Sequence, residues 1–317
     1  MVTRRVTVGT SAGGLLRCAC TFGRVLPPYV DLRPIGRCNL SCPFCFGPRH
    51  EMPTMRRAEA LRIAARLRQE GVQGVVISGG EPTLLPYLGE LVRELSSPLP
   101  DGGVPPRVVL STNGLAPVRL MERVLPALSW IALPLDSADE KEHRELRKGV
   151  APHRERVLGL LQEVRKNHPQ VGVKLGTVVT RRNVAGAPRV LDLVEDSCRP
   201  DVWKVYQMSE TNYGADNASW LSLRDEEFEE VVARCQKAAD EREVPLRVYR
   251  NASRSGTYFF VDPDCEVVVV EAGEERRLGN FFDLVQDDGP AASDLVHPYS
   301  NAANFTGTYP DVRGGQR

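Results

Sequence analysis

Short apolar segments alternate with amphipathic segments along most of this 317-residue sequence. The amphipathic segments carry apolar residues at helical spacing, as at Ala60, Ile63, Ala64 and Leu67. The predicted strands are residues 29–35, 75–78, 108–111, 130–135, 171–180 and 202–207, and the predicted helices are residues 56–70, 85–95, 117–125, 140–147, 152–167, 188–194 and 225–240. Because each strand is followed by a helix, the pattern predicts parallel strands joined by right-handed crossovers.

Polar residues collect directly after several of these strands rather than after one. A barrel of parallel strands builds its active site at the carboxyl ends of several strands. The sequence therefore predicts an α/β fold with a partial (β/α)6 TIM-like barrel over residues 29–243, preceded by an N-terminal extension over residues 1–28. Residues 244–317 are predicted to form a C-terminal β extension and tail, with strands at 244–248, 258–261 and 266–270 that we interpret as antiparallel.

The charge balance and the hydropathy exclude two classes of partner. The chain carries 41 Lys+Arg and 41 Asp+Glu, whereas a protein that coats a nucleic acid polymer usually has a clear basic excess. No apolar run approaches the roughly 18 residues that cross a membrane, and no apolar segment typical of a secretion signal follows the basic start. We expect neither a nucleic acid polymer nor a membrane as a partner.

Three of the eight cysteines, Cys38, Cys42 and Cys45, lie on the loop after the first predicted strand. In a chain without a predicted secretion signal, this crowding favours metal or redox chemistry over disulfides. A structural zinc site would usually need a second Cys or His pair, which is missing at that spacing, so it would have to use His50. Three soft thiolates also suit an iron–sulfur cluster, with one iron open to another ligand.

Two further motifs follow the next two strands. The second strand leads into Gly79-Gly80-Glu81-Pro82 and the third into Ser111-Thr112-Asn113-Gly114. Together with the C-x3-C-x-aromatic-C spacing of the cysteines, they resemble the radical S-adenosylmethionine (SAM) enzymes over roughly residues 29–207. The resemblance implies a barrel of the radical SAM type, a [4Fe–4S] cluster held by the three cysteines, and SAM bound to the open iron.

The resemblance also implies which residues bind SAM. An aromatic ring and the main chain of later strands are expected at the adenine. The glycine motif is expected at the methionyl amine, and the motif after the third strand is expected near the ribose and the carboxylate. The expected contacts are Phe44, Gly79, Gly80, Glu81, Pro82, Ser111, Asn113, Val178, Gln207 and Met208. We therefore expect an enzyme that reductively cleaves SAM and uses a 5′-deoxyadenosyl radical to abstract hydrogen from its substrate. An external reductant such as flavodoxin or ferredoxin and a cytoplasmic location are also implied.

The second half of the chain resembles the viperin-like enzymes, which act on nucleoside triphosphates. The similar segments are residues 136–140, 147–149, 173–174, 179–184, 203–207, 258–262, 305–307 and 313–315. The resemblance implies a small-molecule substrate that is a nucleotide, a nucleoside or sugar-like, with Lys148, Lys174 and Lys204 binding its anionic part. Lys174 and Lys204 lie in predicted apolar strands, where a lysine is costly to bury unless an anion meets it.

This sequence departs from the viperin-like pattern at three positions. Gly176 replaces an asparagine, Val202 replaces an arginine, and Gly47 replaces a histidine; the first two changes weaken the expectation of a triphosphate. Several alternatives stay open. The lysines could pair with carboxylates in a structural network, the substrate could be a ribosomally made peptide, or the protein could bind a partner without catalysing a reaction.

Tyr258 is a candidate catalytic residue. The resemblance implies that it faces the cavity and returns a hydrogen atom or a proton to a substrate radical, although a core tyrosine on an amphipathic strand fits the pattern equally well. The tail from residue 289 is rich in loop-forming residues and is predicted to act as a lid over the substrate.

The other five cysteines have separate interpretations. We expect Cys198 and Cys235 to be small buried residues. A second cluster involving Cys18, Cys20 and Cys265 stays an alternative.

Overall fold

The computed structural model describes residues 26–100, 102–150, 152–253, 256, 258–271 and 274–285. Its strands are β1 (Tyr29–Leu32), β2 (Gly74–Ile77), β3 (Arg107–Ser111), β4 (Trp130–Pro134), β5 (Gly172–Val179), β6 (Val202–Gln207), β7 (Leu246–Tyr249), β8 (Phe259–Val261), β9 (Glu266–Glu271) and β10 (Glu274–Asn280). Its α-helices are α1 (Arg57–Gln69), α2 (Leu88–Ser96), α3 (Val118–Val124), α4 (Glu140–Leu146), α5 (His153–Asn167), α6 (Tyr213–Asp216), α7 (Ala218–Leu221), α8 (Asp225–Glu241) and α9 (Phe281–Leu284).

All these strands form one open sheet in the order β10-β9-β8-β1-β2-β3-β4-β5-β6-β7. The pairs from β8 through β1 to β7 are parallel, and only the β8–β9 and β9–β10 pairs are antiparallel. The sheet does not close, because β7 and β10 form its two edges. The prediction of a mostly parallel, partial barrel is confirmed.

The two faces of the sheet pack against different partners. Val30 and Leu32 of β1 belong to the main apolar core together with residues of α1, α2, α5 and α8. On the other, concave face, Tyr29 packs with Val109, Trp130 and Val202 in a separate apolar cluster. Burial of both faces explains why the strands are apolar almost throughout. This second cluster fills the amino end of the concave face and leaves the carboxyl end for a site.

The prediction of an antiparallel extension is wrong for β7 and correct for the β8–β9 pair, although β8 also has a parallel partner. β7 pairs in parallel with β6, with Lys204 opposite Arg247, and β8 pairs in parallel with β1, with Leu32 opposite Val261. The strand β9 pairs in antiparallel fashion with β8 and with the unforeseen β10. The chain therefore supplies both neighbours of the six-stranded core from its C-terminal segment. The division at residue 243 stays a prediction.

Smaller differences concern helix type. The segment predicted as a helix at 188–194 is a 3-10 helix, Ala187–Leu193, with Pro188 in its first turn. Cys198 and Cys235 are buried, as expected, and Cys265 is buried in the apolar core. Cys18, Cys20 and the predicted lid lie outside the described residues. No described helix has the length and the apolar character needed to cross a membrane.

Candidate functional site

The three clustered cysteines lie on the loop between β1 and α1, and each sulfur already accepts a hydrogen bond from nitrogen. Leu40 N–H donates to Cys38 Sγ and Gly47 N–H to Cys45 Sγ, each at 3.4 Å. Arg147 Nη1 donates to Cys42 Sγ at 3.7 Å. Such donors stabilise the thiolate form, which is the form that binds metal.

The predicted cluster and adenine residues share one apolar pocket wall. Cys42, Phe44 and Met208 are buried together, and Cys38, Cys45 and Val178 pack against them. The wall combines the cysteine loop with the ends of β5 and β6. It brings together residues that are more than 160 positions apart in sequence.

The glycine motif after β2 packs directly against the start of the cysteine loop. Gly79 has a φ of +111°, which a residue with a side chain rarely adopts. A Cβ on Gly80 would overlap the carbonyl oxygens of Gly36 and Arg37. The two glycines therefore let the second strand end in contact with the backbone that leads into Cys38.

Glu81 ties the glycine motif to the segment after β3. Its Oε1 accepts hydrogen bonds from Thr83 N–H, Thr83 Oγ1 and Thr112 Oγ1, and its Oε2 accepts one from Asn113 N–H. The side chain is fully buried, and burial raises its pKa while these donors oppose the rise. In this arrangement four protein donors already occupy the carboxylate that we expected to meet the methionyl amine.

Asn113 is fixed from three sides beside the cluster loop. Its Nδ2 donates to Asn39 Oδ1 at 2.6 Å and approaches Cys38 Sγ at 3.8 Å. Its carbonyl oxygen lies 2.9 Å from His153 Nε2. His153 Nδ1 in turn lies 2.8 Å from His143 Nε2, and both rings are buried.

Arg147 joins the cysteine loop to the end of β4. Its Nε donates to Asp136 Oδ2 at 2.6 Å, and its guanidinium lies 4.9 Å from the centre of the Phe44 ring. Asp136 is fully buried and also accepts from Val178 N–H at 2.9 Å. Although burial alone would raise the pKa of Asp136, Arg147 holds it below the usual value. Asp136 therefore fixes the guanidinium of Arg147, which is the positive charge beside Cys42.

The donor set suits an iron–sulfur cluster. Burial raises the pKa of all three thiols, that of Cys42 to about 12, so a thiolate here needs bound positive charge.

A zinc ion is the alternative ligand of the three cysteines. Zinc would hold its thiolates about 3.8 Å apart, since Zn–S bonds are about 2.3 Å. Within the described residues, no three His, Cys, Asp or Glu side chains are grouped as ligands of one metal ion. The ring of His50 packs against Tyr213, with the ring centres 5.1 Å apart.

Lys174 and Lys204 lie on the paired strands β5 and β6, and both belong to the concave face of the sheet. Lys174 Nζ donates to Tyr206 OH at 3.4 Å, and Lys204 Nζ lies 4.8 Å from the centre of the Tyr249 ring. The two tyrosine rings stack at 4.8 Å. Burial and the nearby charge of Lys174 lower the pKa of Lys204 well below its usual value.

The third predicted lysine lies elsewhere. Lys148 is exposed, with Nζ 5.8 Å from the centre of the Trp220 ring, and its main-chain carbonyl accepts from Ser41 N–H of the cysteine loop. Two main-chain groups expected at the adenine are engaged within the protein, since Met208 carbonyl accepts from Asn251 and Val178 carbonyl from Asn183. Ser111 is half-buried at the end of β3.

Tyr258 directly precedes β8 and contacts the cysteine loop through its ring. Its ring stacks on Phe260 at 5.3 Å and contacts Phe46 at 5.5 Å. Phe46 directly follows Cys45 in the sequence. The tyrosine is half-buried, so its burial fits both a side chain that faces the cavity and a core tyrosine.

Sequence reasoning missed four residues of this site: Asp136, His143, Arg147 and His153. Asp136 and Arg147 stood within two segments noted for their resemblance, and the position of Asp136 two residues after β4 was a signal that could have identified it. The two histidines gave no comparable signal, because each is isolated in a charged helix.

Comparison with known proteins gives the family. A profile of the radical SAM superfamily matches residues 32–193, which is more than half of the chain. The S-adenosylmethionine-dependent nucleotide dehydratase of Flammeovirga pacifica is 27% identical over 252 residues, covering 76% of this chain and 82% of that protein. The protein of the same name from Thermoplasmatales archaeon (strain ISO4-H5) is 25% identical over 251 residues, covering 78% and 84%.

Solved structures agree on the fold. Streptococcus suis SuiB bound to S-adenosylmethionine superposes with a TM-score of 0.62 at 17% identity, covering 86% of this chain and 68% of that chain. Its likeness extends over the partial barrel described above. The match to the superfamily profile makes the protein an enzyme with a [4Fe–4S] cluster and SAM as its cofactors. This chain belongs to the radical SAM superfamily.

Proposed function

We propose that this enzyme abstracts hydrogen from a nucleotide-like small molecule bound on the concave face of its sheet. The observation that carries the proposal is the pair of lysines, Lys174 and Lys204, on that face. Lys174 precedes Val178 of the cofactor wall by four residues of one strand, or roughly 13 Å. If the lysines hold the anionic group of a nucleotide, the sugar of that nucleotide can therefore reach the cofactor wall near Val178. The names of the two nucleotide dehydratases similar to this chain support the same substrate class.

In this proposal Cys38, Cys42 and Cys45 hold the cluster, and SAM lies against Phe44, Val178, Met208 and Asn113. When bound, the cluster and SAM supply the carbon radical that takes a hydrogen atom from the substrate, after reduction by a partner of the flavodoxin or ferredoxin class. Glu81 holds the two loop motifs together, and the glycine motif and Pro82 set the shape of the cofactor wall. Gln207 positions the end of β6, because its side chain bridges Asp225 and Asn251 N–H.

The decisive experiment is an anaerobic assay of 5′-deoxyadenosine. We expect the reconstituted protein to form it with dithionite and SAM, and nucleotides to increase its yield and to be converted. Cys42→Ala should abolish formation, whereas Cys198→Ala, which changes a buried cysteine far from the loop in sequence, should keep it. If no nucleotide changes the yield while a peptide does, the substrate class proposed here is wrong.

Tyr258 is proposed to return a hydrogen atom or proton to the substrate radical. Its ring contact with Phe46, which directly follows Cys45, supports this role. Tyr258→Phe should abolish the product while 5′-deoxyadenosine still forms. Tyr213→Phe is the control, because within the part of the chain that the structure describes Tyr213 OH has one hydrogen bond, which it accepts from His50 N–H. Full turnover by Tyr258→Phe would refute the role.

A further inference from the structure

The second and third cysteines of the loop are joined by a tight turn whose backbone is held from another part of the chain. Cys45 N–H donates to Cys42 carbonyl at 3.2 Å, so Pro43 and Phe44 form the centre of a four-residue turn. Both central residues are buried, where an unpaired carbonyl is costly. Asn217 Nδ2 donates to Pro43 carbonyl at 3.1 Å. The orientation of the turn therefore depends on a side chain that lies after β6.

Asn217 is itself held in one orientation. It lies between α6 and α7, and its Nδ2 also donates to Tyr213 carbonyl at 2.9 Å. Its Oδ1 accepts from Trp220 Nε1 at 3.0 Å. Trp220 packs against the apolar wall that contains Cys42 and Phe44. Because both ends of the amide are engaged, Asn217 presents its donor to the turn in a fixed direction.

A second asparagine after β6 contacts the other end of the loop. Asn212, directly before α6, has a φ of 51° and a ψ of −121°, a conformation that favours glycine and that strains a residue with a side chain. Its Nδ2 lies 3.4 Å from Phe46 carbonyl, and its own carbonyl accepts from Arg49 Nη2 at 3.2 Å. The strained residue thus adds a side-chain contact to the position next to Cys45.

The support segment, which we define as residues 209–221, is a compact continuation of the sheet. It begins two residues after the end of β6. A Cβ on Gly214 would overlap Ser209 carbonyl, so the chain folds back closely on itself. Leu221 carbonyl at its other end accepts from Arg181 N–H at 2.7 Å. The two asparagines are therefore presented to the cysteine loop by backbone that is fixed at both ends.

We infer that Asn217 and Asn212 are positioning residues that set the cysteine loop for the cluster before the cluster binds. The inference rests on the proposed role of the three loop cysteines as cluster ligands. A loop that must be ordered on binding loses conformational entropy at that step, whereas a loop already in place does not. Loss of a hydrogen bond to a buried carbonyl should therefore weaken retention of the cluster by about fivefold or more.

The first test compares wild type with Asn217→Asp. The aspartate keeps the shape and the acceptor for Trp220, but it places an oxygen in place of the donor to Pro43 carbonyl. Hydrogen exchange of the apoprotein, followed by mass spectrometry, should be faster at residues 44–49. In the reconstituted protein under anaerobic conditions, an Fe²⁺ chelator, bathophenanthroline disulfonate, should remove the cluster at least about fivefold faster, as measured by loss of the iron–sulfur absorbance.

The second test uses Asn212→Gly to separate positioning of the loop from stability of the fold. Glycine adopts this backbone conformation without strain, so the variant should be at least as stable as wild type in urea. Because it removes the side-chain contact with Phe46, it should nevertheless lose the cluster faster to the chelator. A residue that only stabilises the fold would not separate these two measurements.

Two controls should retain the cluster as wild type does. Asn167→Asp makes the same substitution at an exposed site on α5, where Nδ2 donates to Glu163. Tyr213→Phe removes a hydroxyl of the support segment whose partner, His50 N–H, lies five residues beyond Cys45.

The outcomes distinguish this inference from the proposed function. Unchanged exchange, or faster exchange without faster cluster loss, overturns the positioning role alone. If Asn217→Asp does not fold, Asn212→Gly decides: equal cluster retention by that variant and wild type overturns the role. Retention of the cluster by Cys42→Ala would overturn the proposed ligands, and this inference with them.

Discussion

Arg147 shows how one side chain can organise the site at the residue scale. Its planar guanidinium reaches Asp136, Cys42 Sγ and the Phe44 ring at once. A lysine could not make these contacts together, because its ammonium is a point charge rather than a fork. Asp136 is fully buried and depends on this cation for compensation.

Arg147→Met tests that dependence. The change leaves Asp136 as an unpaired buried charge, so we expect the free energy of unfolding to fall by about 3–5 kcal/mol, measured by urea denaturation of the apoprotein at pH 7. In the reconstituted protein the cluster should become harder to reduce, because a donor to a cluster sulfur is lost. Arg182→Met is the control: the pair with Glu145 is exposed and should contribute less than about 1 kcal/mol. Equal losses in the two variants would contradict the role of Arg147.

Gly80 tests the close approach of two backbones. The methyl group of Gly80→Ala would meet carbonyl oxygens of Gly36 and Arg37, which cannot move as a flexible side chain can. We expect a loss of about 3 kcal/mol or more in unfolding free energy and a lower iron content after reconstitution. Gly89→Ala in α2 is the matched control, because nothing lies within 4 Å of its added Cβ. That control should be neutral or stabilising by up to about 1 kcal/mol, and similar behaviour of both variants would refute the packing argument.

At the scale of elements, a buried pair of histidines connects α4 and α5 with the ends of β3 and β4. Asp136 N–H donates to His143 Nδ1, so His143 carries its proton on Nε2 and donates to His153. His153 then donates from its own Nε2 to Asn113 carbonyl. Both rings must be neutral for this chain of donors. Burial lowers the pKa of His143 to about 4 and that of His153 to about 3.

These pKa values predict how stability depends on pH. An unfolded histidine has a pKa of about 6.5, so between pH 6.5 and 4 the unfolded chain binds protons that the folded protein excludes. Stability should therefore be fully present above pH 6.5 and fall as the pH drops through this window, by at most about 1.4 kcal/mol per pH unit for each histidine. Urea unfolding at pH 7.5, 6.0 and 5.0 should show a smaller slope for His143→Leu/His153→Leu than for wild type. The control is His168→Gln at the end of α5, and an unchanged slope in the double variant would disprove the account.

Most helices and strands could be predicted from the sequence, because the spacing of apolar residues and the presence of turn residues are local properties. The cysteine loop and the glycine motif were also local, and so they were found. Strand pairing is not local: the sequence of β8 does not reveal that it returns to pair with β1. The strand β10, with the sequence EERRLGN, was missed because it lacks the apolar character of the others.

The same limit applies to the site. Arg147 lies 105 residues from Cys42, and His153 lies 40 residues from Asn113. A single arginine or histidine in a charged helix is usually a solvated residue, so these contacts could not be distinguished without the fold. Lys148 was expected to bind the anionic part of the substrate, whereas the structure exposes this lysine and half-buries its neighbour Arg147.

At the scale of the whole molecule, the C-terminal strands attach to the first strand through Arg33. Its side chain is 2% exposed and forms ion pairs with Asp262 after β8 and with Glu275 in β10. Its guanidinium also lies 3.7 Å from the centre of the Phe260 ring. The same strand region presents Tyr258 and Phe260 to Phe46 beside the cysteine loop. The attachment of β8 to β1 therefore shapes one wall of the site.

Asp262→Asn tests whether this attachment supports both the fold and the reaction. The change leaves the buried Arg33 without its closer carboxylate, so we expect unfolding free energy to fall by about 3–5 kcal/mol, as measured in urea. If β8 shifts, the aromatic group at Tyr258 should lose its alignment, and 5′-deoxyadenosine should then form with less substrate converted per molecule. Asp264→Asn is the matched control two residues away, since its pair with Arg277 is half exposed and should contribute less than about 1 kcal/mol. Because both variants remove one negative charge from the same turn, a difference between them isolates the buried contact. A loss of stability without any change in the ratio of substrate conversion to 5′-deoxyadenosine would show that β8 supports the fold alone.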